Sequence, residues 1–369
     1  MIRVVIKLGK HKVAIIGAGL SGLACALELK RNGITPVVFE RAGRPGGGLD
    51  YLLLLLKMFN RPMGDPMRYM KARYRLELSP VCELTDIIMK GPTRTMSVHG
   101  RLGHIFLKGS DADSMEEQLI TAGDIDVRFD TIADVGEIYD RFSHIVVASG
   151  SCSIPKEYGG FDLTFQSHTR IARILGEFET GVIKMWLNRE YCNSGYVYMV
   201  SGNPKYADLV MSVTDTTNRE LEYYWRKFLT TENIVNPIVT TDDVEQHLGH
   251  STCSRNGKLY FIGNAGGMID NFLGFGAMRS LESGVLAARS IAGGYDFNRM
   301  MKPYMAEALQ FQEYRKMVDR LDNKGFDRLI TIIGMPIIKQ LIYKNPFHKA
   351  KHTVLLPKLY NRFNHRIGP

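Results

Sequence analysis

The stretch that decides the fold is KVAIIGAGLSGLACALELKRNGITPVVFERAGRPGGG, residues 12–48. It opens with a short aliphatic run, Lys12–Ile16, which suits a strand buried in a parallel sheet. Three glycines follow in the spacing G-x-G-x-x-G, at Gly17, Gly19 and Gly22, and apolar residues then recur at helical spacing. The pattern predicts a strand, a tight turn and a helix.

Each part of this unit has a physical task in holding a dinucleotide. Gly17 permits the tight turn, Gly19 lets the backbone approach a pyrophosphate, and Gly22 lets the helix pack closely on the strand. Leu20 and Ser21 stand where the helix begins, and a helix N-terminus directs free N–H groups toward phosphates. We therefore expect these five residues to bind a cofactor.

A second aliphatic run, Pro36–Phe39, ends at Glu40, where an acid can accept hydrogen bonds from ribose hydroxyls. The strand, helix, strand and acid all have the spacing that the motif requires, so a chance match is improbable. The continuation ERAGRPGGG resembles the extended dinucleotide-binding motif of FAD enzymes, in which a basic residue and a Gly-Gly pair follow the acid. Arg41, Gly46 and Gly47 occupy those positions, and the resemblance implies FAD as the cofactor.

Late in the chain, KLYFIGNAGG reads as a strand, Leu259–Ile262, followed by a glycine turn. It resembles the second FAD motif of the glutathione-reductase-type flavoproteins, written G-D-A-A or G-D-A-G, with Gly263 and Asn264 at the first two positions. The family's acid bonds the ribityl chain. Asn264 can accept and also donate a hydrogen bond but carries no charge, so we expect FAD binding to be retained and weaker.

The next segment resembles the one that such flavoproteins run past the isoalloxazine ring. Gly274 and Gly276 would permit that close approach, with Phe275 and Ala277 beside them. A helix from Ala277 to about Ile291 would aim its N-terminal N–H groups at the flavin and stabilise negative charge on its reduced form.

Between the two motifs, TGVIKMWLN, GYVYMVSG and YADLVMSVT predict three consecutive antiparallel strands. In GYVYMVSGNPKYADLVMSV, Tyr196 and Tyr198 fall where the geranylgeranyl reductase family has an aromatic-x-Trp-x-aromatic strand, with Tyr198 in place of Trp. The chain thus resembles that family, within the p-hydroxybenzoate-hydroxylase-like branch of glutathione-reductase-type FAD folds. The resemblance implies an α/β fold: a Rossmann-like FAD-binding domain, an inserted antiparallel β-rich substrate domain and a helical C-terminal region.

We expect the following boundaries: a discontinuous FAD-binding domain formed by 1–75, 100–150 and 258–296, a substrate domain formed by 76–99 and 151–257, and a basic helical C-terminal region at 297–369. The family's arginine at the helix near residue 114 is absent, and Lys108 stands nearby as a substitute.

The family resemblance implies reduction of isoprenoid C=C bonds by hydride transfer from N5 of reduced FAD. Such an alkene is unpolarised, so a proton must arrive at nearly the same time in a dry, aromatic-lined pocket. We interpret Tyr196 or Tyr198 as pocket lining and proton relay; the alternative is that both are ordinary strand aromatics. No second G-x-G-x-x-G is present, so the electron donor is NAD(P)H docking transiently or a protein such as ferredoxin.

Two other functions stay open. One is a flavin-dependent monooxygenase or halogenase of the same fold, although KMWLNREY does not supply the Trp-x-Trp-x-x-Pro motif of halogenases. The other is a flavin- or lipid-binding protein without turnover. The oily run YLLLLLKMF, Tyr51–Phe59, is interpreted as the mouth of a lipid tunnel or as a core helix.

The net charge is +9 in 369 residues, and its distribution is uneven. No acid follows Asp327, and apolar groups alternate with Lys and Arg in that tail, which predicts either contact with an anionic membrane or a solvated basic subdomain. We expect no nucleic-acid partner, because no nucleic-acid fold signature appears.

No window is long and apolar enough for a spanning helix, and no signal peptide is evident, so we expect a cytoplasmic or peripheral membrane protein. Five scattered cysteines indicate reduced thiols. His247, His250 and Cys253 lie at three-residue spacing without a partner cluster, and we predict no metal site.

Overall fold

The computed structural model describes residues 12–60, 64–270 and 273–344. The strands are β1 (Val13–Ile16), β2 (Val37–Phe39), β3 (Tyr51–Leu56), β4 (Cys82–Lys90), β5 (Thr95–Lys108), β6 (Val127–Arg128), β7 (His144–Val147), β8 (Phe161–Leu175), β9 (Val182–Trp186), β10 (Tyr196–Asn203), β11 (Tyr206–Thr214), β12 (Ile238–Ser251), β13 (Arg255–Asn256) and β14 (Leu259–Phe261). The helices are α1 (Leu20–Arg31), α2 (Pro66–Tyr74), α3 (Met115–Gly123), α4 (Val135–Ile138), α5 (Ser153–Tyr158), α6 (Arg189–Cys192), α7 (Asn218–Thr231), α8 (Ala277–Gly293), α9 (Phe297–Val318), α10 (Asn323–Gly334) and α11 (Pro336–Lys339).

The first sheet has the strand order β13-β14-β7-β1-β2-β6, and all its pairs are parallel except β13 with β14. Every residue of β1 is buried, as expected for a strand covered on both faces. Helices α1 and α8 cover one face, where Leu23 and Leu281 are fully buried. The other face packs against α4, through residues such as Ile138. The late strand β14 thus completes the sheet that β1 begins, and the predicted Rossmann-like fold class is confirmed.

The second sheet has the order β12-β8-β11-β10-β9-β4-β5-β3, and β4 with β9 is its parallel pair. The three predicted strands are β9, β10 and β11, and they pair antiparallel in sequence order. Although β3 forms one edge, the Leu52 N–H of that strand donates to Asp208 Oδ2 of β11 at 2.6 Å. Since β11 lies far along the order, this bond shows that the sheet curls until its edge strand meets its middle.

The C-terminal helices close the open side of the curled sheet. Helix α10 buries Phe326, Ile330 and Ile333 at helical spacing against Met96 of β5 and Leu187 after β9. These contacts place α10 and the end of α9 over strands β4, β5 and β9. A cavity remains between these helices and the sheet.

The structure excludes one of the two interpretations of the run Tyr51–Phe59. The run Tyr51–Phe59 begins with β3 and continues into a 3₁₀ turn, so it is not a core helix; leucines on both faces of β3 are buried, which removes the alternation typical of a strand. Strands β3 and β5 belong to the second sheet. They overlap the ranges 1–75 and 100–150 that we expect in the FAD-binding domain, and the domain boundaries stay a prediction. Of the predicted C-terminal region 297–369, residues 345–369 lie outside the described residues.

Candidate functional site

The turn between β1 and α1 is too crowded for side chains at two positions. Gly17 has φ +107°, and a Cβ there would lie 2.4 Å from the carbonyl oxygen of Ala148. A Cβ at Gly22 would lie 2.1 Å from the carbonyl oxygen of Gly17. Both distances are far below van der Waals contact, so these two glycines are required by packing of the protein itself.

Gly19 has the opposite environment. Its φ is −91°, which any residue can adopt, and no described atom lies within 4 Å of the position of a Cβ. Helix α1 starts one residue later, at Leu20, and no described side chain caps its first turn. Open space beside uncapped N–H groups is the arrangement that a phosphate needs.

Glu40 lies at the end of β2 and is 5% exposed. Its Oε2 accepts a hydrogen bond from the Ala18 N–H at 2.8 Å, and its Oε1 accepts one from the Ala42 N–H at 2.9 Å. Each carboxylate oxygen has a second acceptor site. The backbone therefore holds Glu40 in place while leaving capacity for ribose hydroxyls. Arg41 is exposed.

Gly46 and Gly47 form a turn in the left-handed region, with φ of +70° and +71°. The Gly46 N–H donates to the Ala18 carbonyl at 3.0 Å, which joins this turn to the first glycine motif. The Lys108 ammonium donates to the Gly46 carbonyl at 2.6 Å and lies 3.4 Å from Glu116, whose side chain is fully buried. Burial alone would lower the pKa of Lys108, but the Glu116 carboxylate raises it above the ordinary value, so Lys108 stays charged.

The second motif meets the first one directly. Gly263 has φ +57°, and a Cβ there would lie 2.4 Å from Ser21 Oγ of α1. The Gly263 N–H donates to Ser283 Oγ of α8 at 3.0 Å, and Asn264 Nδ2 donates to the Gly150 carbonyl at 3.5 Å. Thus the turn after β14, the start of α1 and the turn after β7 share one corner of the sheet.

The loop before α8 is held by the half-buried carboxylate of Asp270. Asp270 accepts from the Leu273 N–H and from the Phe275 N–H, each at 2.6 Å. Gly274 has φ +74°, and a Cβ at Gly276 would lie 2.9 Å from Ile269 Cγ1. Helix α8 then begins at Ala277, and no described side chain caps it. Like α1, this helix offers its N-terminal N–H groups to a ligand.

Tyr196 and Tyr198 lie on one face of β10, beside this loop. The Tyr196 hydroxyl donates to the Leu273 carbonyl at 2.5 Å, and the two rings stack with centroids 6.2 Å apart. Burial raises the pKa of both phenols above the ordinary value for tyrosine. Both are therefore neutral at physiological pH, and Tyr196 ties the second sheet to the loop.

Two cavities adjoin Tyr196, Tyr198 and Phe275. The smaller, about 100 Å³, is lined by the curled sheet and by residues 273–277. The larger, about 180 Å³, lies between strands β3, β4, β9 and β10 and the C-terminal helices. Its walls are predominantly aliphatic, methionine and aromatic, and they include Met58, Met89, Met185, Phe311, Met317 and Ile333. Such a site suits a flexible apolar ligand.

Arg315 of α9 lines both cavities. Its guanidinium donates to Asp319 Oδ1 at 2.7 Å and to Thr214 Oγ1 at 2.9 Å, and it lies over the Phe165 ring at 4.7 Å. Sequence reasoning did not single out Arg315 or the lining residues of α9 and α10. The apolar stripe of α10 was a usable signal, but a stripe that lines a cavity looks the same in sequence as one that fills a core.

The two histidines that the sequence brings together at three-residue spacing each lie beside an acid. His247 lies 3.3 Å from Glu245, and His250 lies 3.5 Å from Asp162. Within 12–60, 64–270 and 273–344, no group of three His, Cys, Asp or Glu side chains could hold a metal ion. Across the same ranges, no helix is both long and apolar enough to span a bilayer.

Comparison with known proteins agrees with this geometry. The family model for the NAD(P)-binding Rossmann-like domain matches residues 15–50. The NADPH glutamate synthase small chain of Escherichia coli (strain K12) is 53% identical over 47 residues, which are 13% of this chain and 10% of that relative. The chain thus spans about a tenth of the length of that curated relative.

Two solved structures match nearly the whole chain. A geranylgeranyl bacteriochlorophyll reductase-like protein from Thermoplasma acidophilum is similar at 15% identity and a TM-score of 0.72, over 95% of this chain and 99% of that one. A flavin-dependent brominase is similar at 14% identity and a TM-score of 0.61, over 96% of this chain and all of that one. At these identities the likeness concerns the fold. The chain has the fold of the FAD-dependent oxidoreductases, including a geranylgeranyl reductase-like protein, as its sequence motifs predict.

Proposed function

We propose that this protein is an FAD-dependent oxidoreductase that reduces C=C bonds of an isoprenoid or another long apolar substrate. The observation that carries the proposal is the cavity of about 180 Å³ walled by apolar side chains, because it adjoins both tyrosines of β10 and the glycine loop before α8. A polar or charged substrate would lose its hydration there with few groups to replace it.

The residues around the glycine turns fit FAD. Gly19 leaves room for a pyrophosphate at the uncapped start of α1, and Glu40 retains acceptor sites for a ribose. Asn264 would face the ribityl chain, and the uncapped start of α8 would face the flavin ring. When bound, FAD would supply the electron pair for the reduction.

The chain's own residues would prepare the alkene for reaction. Tyr196, Tyr198 and Phe275 form an aromatic wall that excludes water and can stabilise cationic character in the substrate. Since the raised pKa of both phenols keeps them protonated, each could pass a proton only if it received another in the same step. The Tyr196 hydroxyl is already bonded to the Leu273 carbonyl, so Tyr198 is the better candidate for the relay.

The test is anaerobic. The flavin of the purified protein is reduced, a geranylgeranylated lipid in detergent is added, and return of the oxidised-flavin absorption band is followed. Return of the band together with saturated chains in the product supports the proposal. Met185→Trp, which fills the cavity, is expected to slow this step at least about tenfold. Met300→Trp, at a half-buried methionine outside the cavity lining, is the matched control.

A band that does not return on addition of lipid would contradict the reductase. The likeness to a flavin-dependent brominase favours oxygen-dependent chemistry as the second candidate. In that case admission of oxygen would reoxidise the flavin rapidly and yield an oxygenated or halogenated product. Tight lipid binding without any change in the flavin's oxidation state would instead indicate a binding protein. Reduction by NADH, NADPH or ferredoxin, compared in parallel, would identify the electron donor.

A further inference from the structure

The corner between α10 and α11 exposes apolar side chains to solvent. Met335 is 37% exposed and Ile337 is 81% exposed, and Pro336 between them is also exposed. A single exposed apolar residue is common on protein surfaces, but a consecutive group at a sharp helical corner is a local apolar projection. We call residues 334–339 the apolar corner.

The elements on either side of the apolar corner form a wall of the larger cavity. Leu329 and Ile333 of α10 line it, and so do Ile342 and Tyr343 after α11. The helical segment thus has apolar residues facing the cavity and an apolar projection at its outer end.

The segment of chain that carries the corner has no acid after Asp327. Asp327 is the last acid of the chain, and its carboxylate is engaged: it accepts from the Thr93 N–H and the Arg94 N–H, both at 3.0 Å, and from the Thr93 hydroxyl at 2.7 Å. Lys339 lies in the corner itself, where its ammonium donates to the Ser97 carbonyl at 2.9 Å. The basic residues after Asp327 are Arg328, Lys339, Lys344, Lys349, Lys351, Lys358, Arg362 and Arg366.

We propose that the apolar corner docks on an anionic lipid bilayer and that apolar chains pass from the bilayer into the adjoining cavity. Charge complementarity selects this occupant, since a basic, acid-free segment is attracted to an anionic surface while exposed aliphatic groups enter its acyl boundary. The entry of apolar substrate chains into the cavity rests on the proposed function. The docking is argued only from the exposed residues of the corner and the charge of the segment.

The docking is tested by flotation of the flavin-loaded protein with vesicles. Wild type is expected to float with vesicles of phosphatidylglycerol and phosphatidylcholine, and to remain behind with phosphatidylcholine alone or at high salt. Ile337→Glu, which places a charge where the corner enters the lipid, should lower the bound fraction at least about tenfold. Ile132→Glu is the matched control, because Ile132 is 84% exposed and lies beside the first sheet, between β6 and α4.

Equal flotation of wild type and Ile337→Glu would overturn the proposal, as would failure of wild type to bind anionic vesicles. If Ile337→Glu instead lowers the molar mass measured by light scattering without lipid, the corner is a contact between two copies, which also overturns it.

Flavin reoxidation separates this proposal from the proposed function. The rate of flavin reoxidation in Ile337→Glu should equal that of wild type with substrate dissolved in detergent. With substrate in anionic vesicles, that rate should be at least about tenfold lower than in wild type. Wild type that floats but is not reoxidised by the lipid in detergent would refute the reductase and leave the docking intact. Equal rates of flavin reoxidation in wild type and Ile337→Glu with substrate in anionic vesicles would refute the entry of apolar substrate chains at this corner.

Discussion

Replacement of Gly19 by alanine should separate cofactor binding from folding. The backbone at Gly19 has φ −91° and ψ −175°, which alanine adopts without strain, and no described atom lies within 4 Å of the new Cβ. The methyl group therefore enters space that the protein leaves open. If that space belongs to a pyrophosphate, the variant protein folds normally and holds FAD poorly.

The expected change in the free energy of unfolding follows from two opposing effects of Gly19→Ala on the flavin-free protein. Gly→Ala at a compatible position reduces the entropy of the unfolded chain and stabilises by about 0.4–1 kcal/mol. Gly19 is also the N-cap of α1, where alanine is a worse cap than glycine by about 0.5–1 kcal/mol. The two nearly cancel, so the free energy of unfolding should change little. FAD affinity should fall at least tenfold, which corresponds to about 1.4 kcal/mol.

Two assays on the same preparation measure these quantities. Urea unfolding of the flavin-free protein gives the free energy of unfolding, and quenching of flavin fluorescence gives the dissociation constant. Gly22→Ala is the contrasting variant, since its Cβ would lie 2.1 Å from the Gly17 carbonyl oxygen and should destabilise the flavin-free protein by about 1–3 kcal/mol. A Gly19→Ala protein that binds FAD as tightly as wild type would refute the assignment of this space to the pyrophosphate.

Three further variants test interactions in the site and in the protein core. Lys108→Met should lower the free energy of unfolding by about 3–5 kcal/mol, because it leaves the buried Glu116 carboxylate without its cation; adding Glu116→Leu should restore most of the loss, and an additive double mutant would contradict this account. Tyr196→Phe should cost about 1 kcal/mol in unfolding, through loss of its bond to the loop carbonyl, and should leave the pH profile of turnover unchanged; a shifted profile would instead make Tyr196 the proton relay. Tyr191 is 1% exposed, and burial and the Glu232 carboxylate raise its pKa. The unfolded chain therefore loses this proton first as the pH rises above about 10, and stability should fall there; Tyr191→Phe, weaker by about 1 kcal/mol at pH 7, should converge on wild type by about pH 11 in urea unfolding, and parallel curves would exclude this tyrosine as a cause.

The glycine turns could be predicted from the sequence because their backbone geometry restricts the residue type, whereas cofactor binding there stays a prediction. Gly17, Gly22 and Gly263 have no room for a Cβ, so these positions demand glycine and the motif is visible in one chain. The position of Glu40 could likewise be predicted, because it directly follows the last residue of β2. The predicted helix after Gly276 begins at Ala277, as expected.

The substrate side could not be predicted in the same way. The larger cavity is lined by methionine, leucine and isoleucine residues from strands and helices far apart in sequence, and any of these would serve as well in a filled core. The secondary structure of the run Tyr51–Phe59 could not be predicted either, because consecutive leucines show neither helical nor strand periodicity. Only the pairing of β3 with β5 identifies its first part as a strand.

The late return of the chain also has a consequence for biosynthesis. Strand β7 leaves the ribosome more than a hundred residues before its partner β14 is made. Strand β12, which forms one edge of the second sheet, is made only shortly before β14. An emerging chain can therefore complete the second sheet only after β12 has been made, and the first sheet only after β14 has been made. Such long-range pairing is slow and leaves strand edges exposed while translation proceeds. We expect nascent chains that end before residue 261 to be recognised by chaperones or degraded rather than to persist as folded halves.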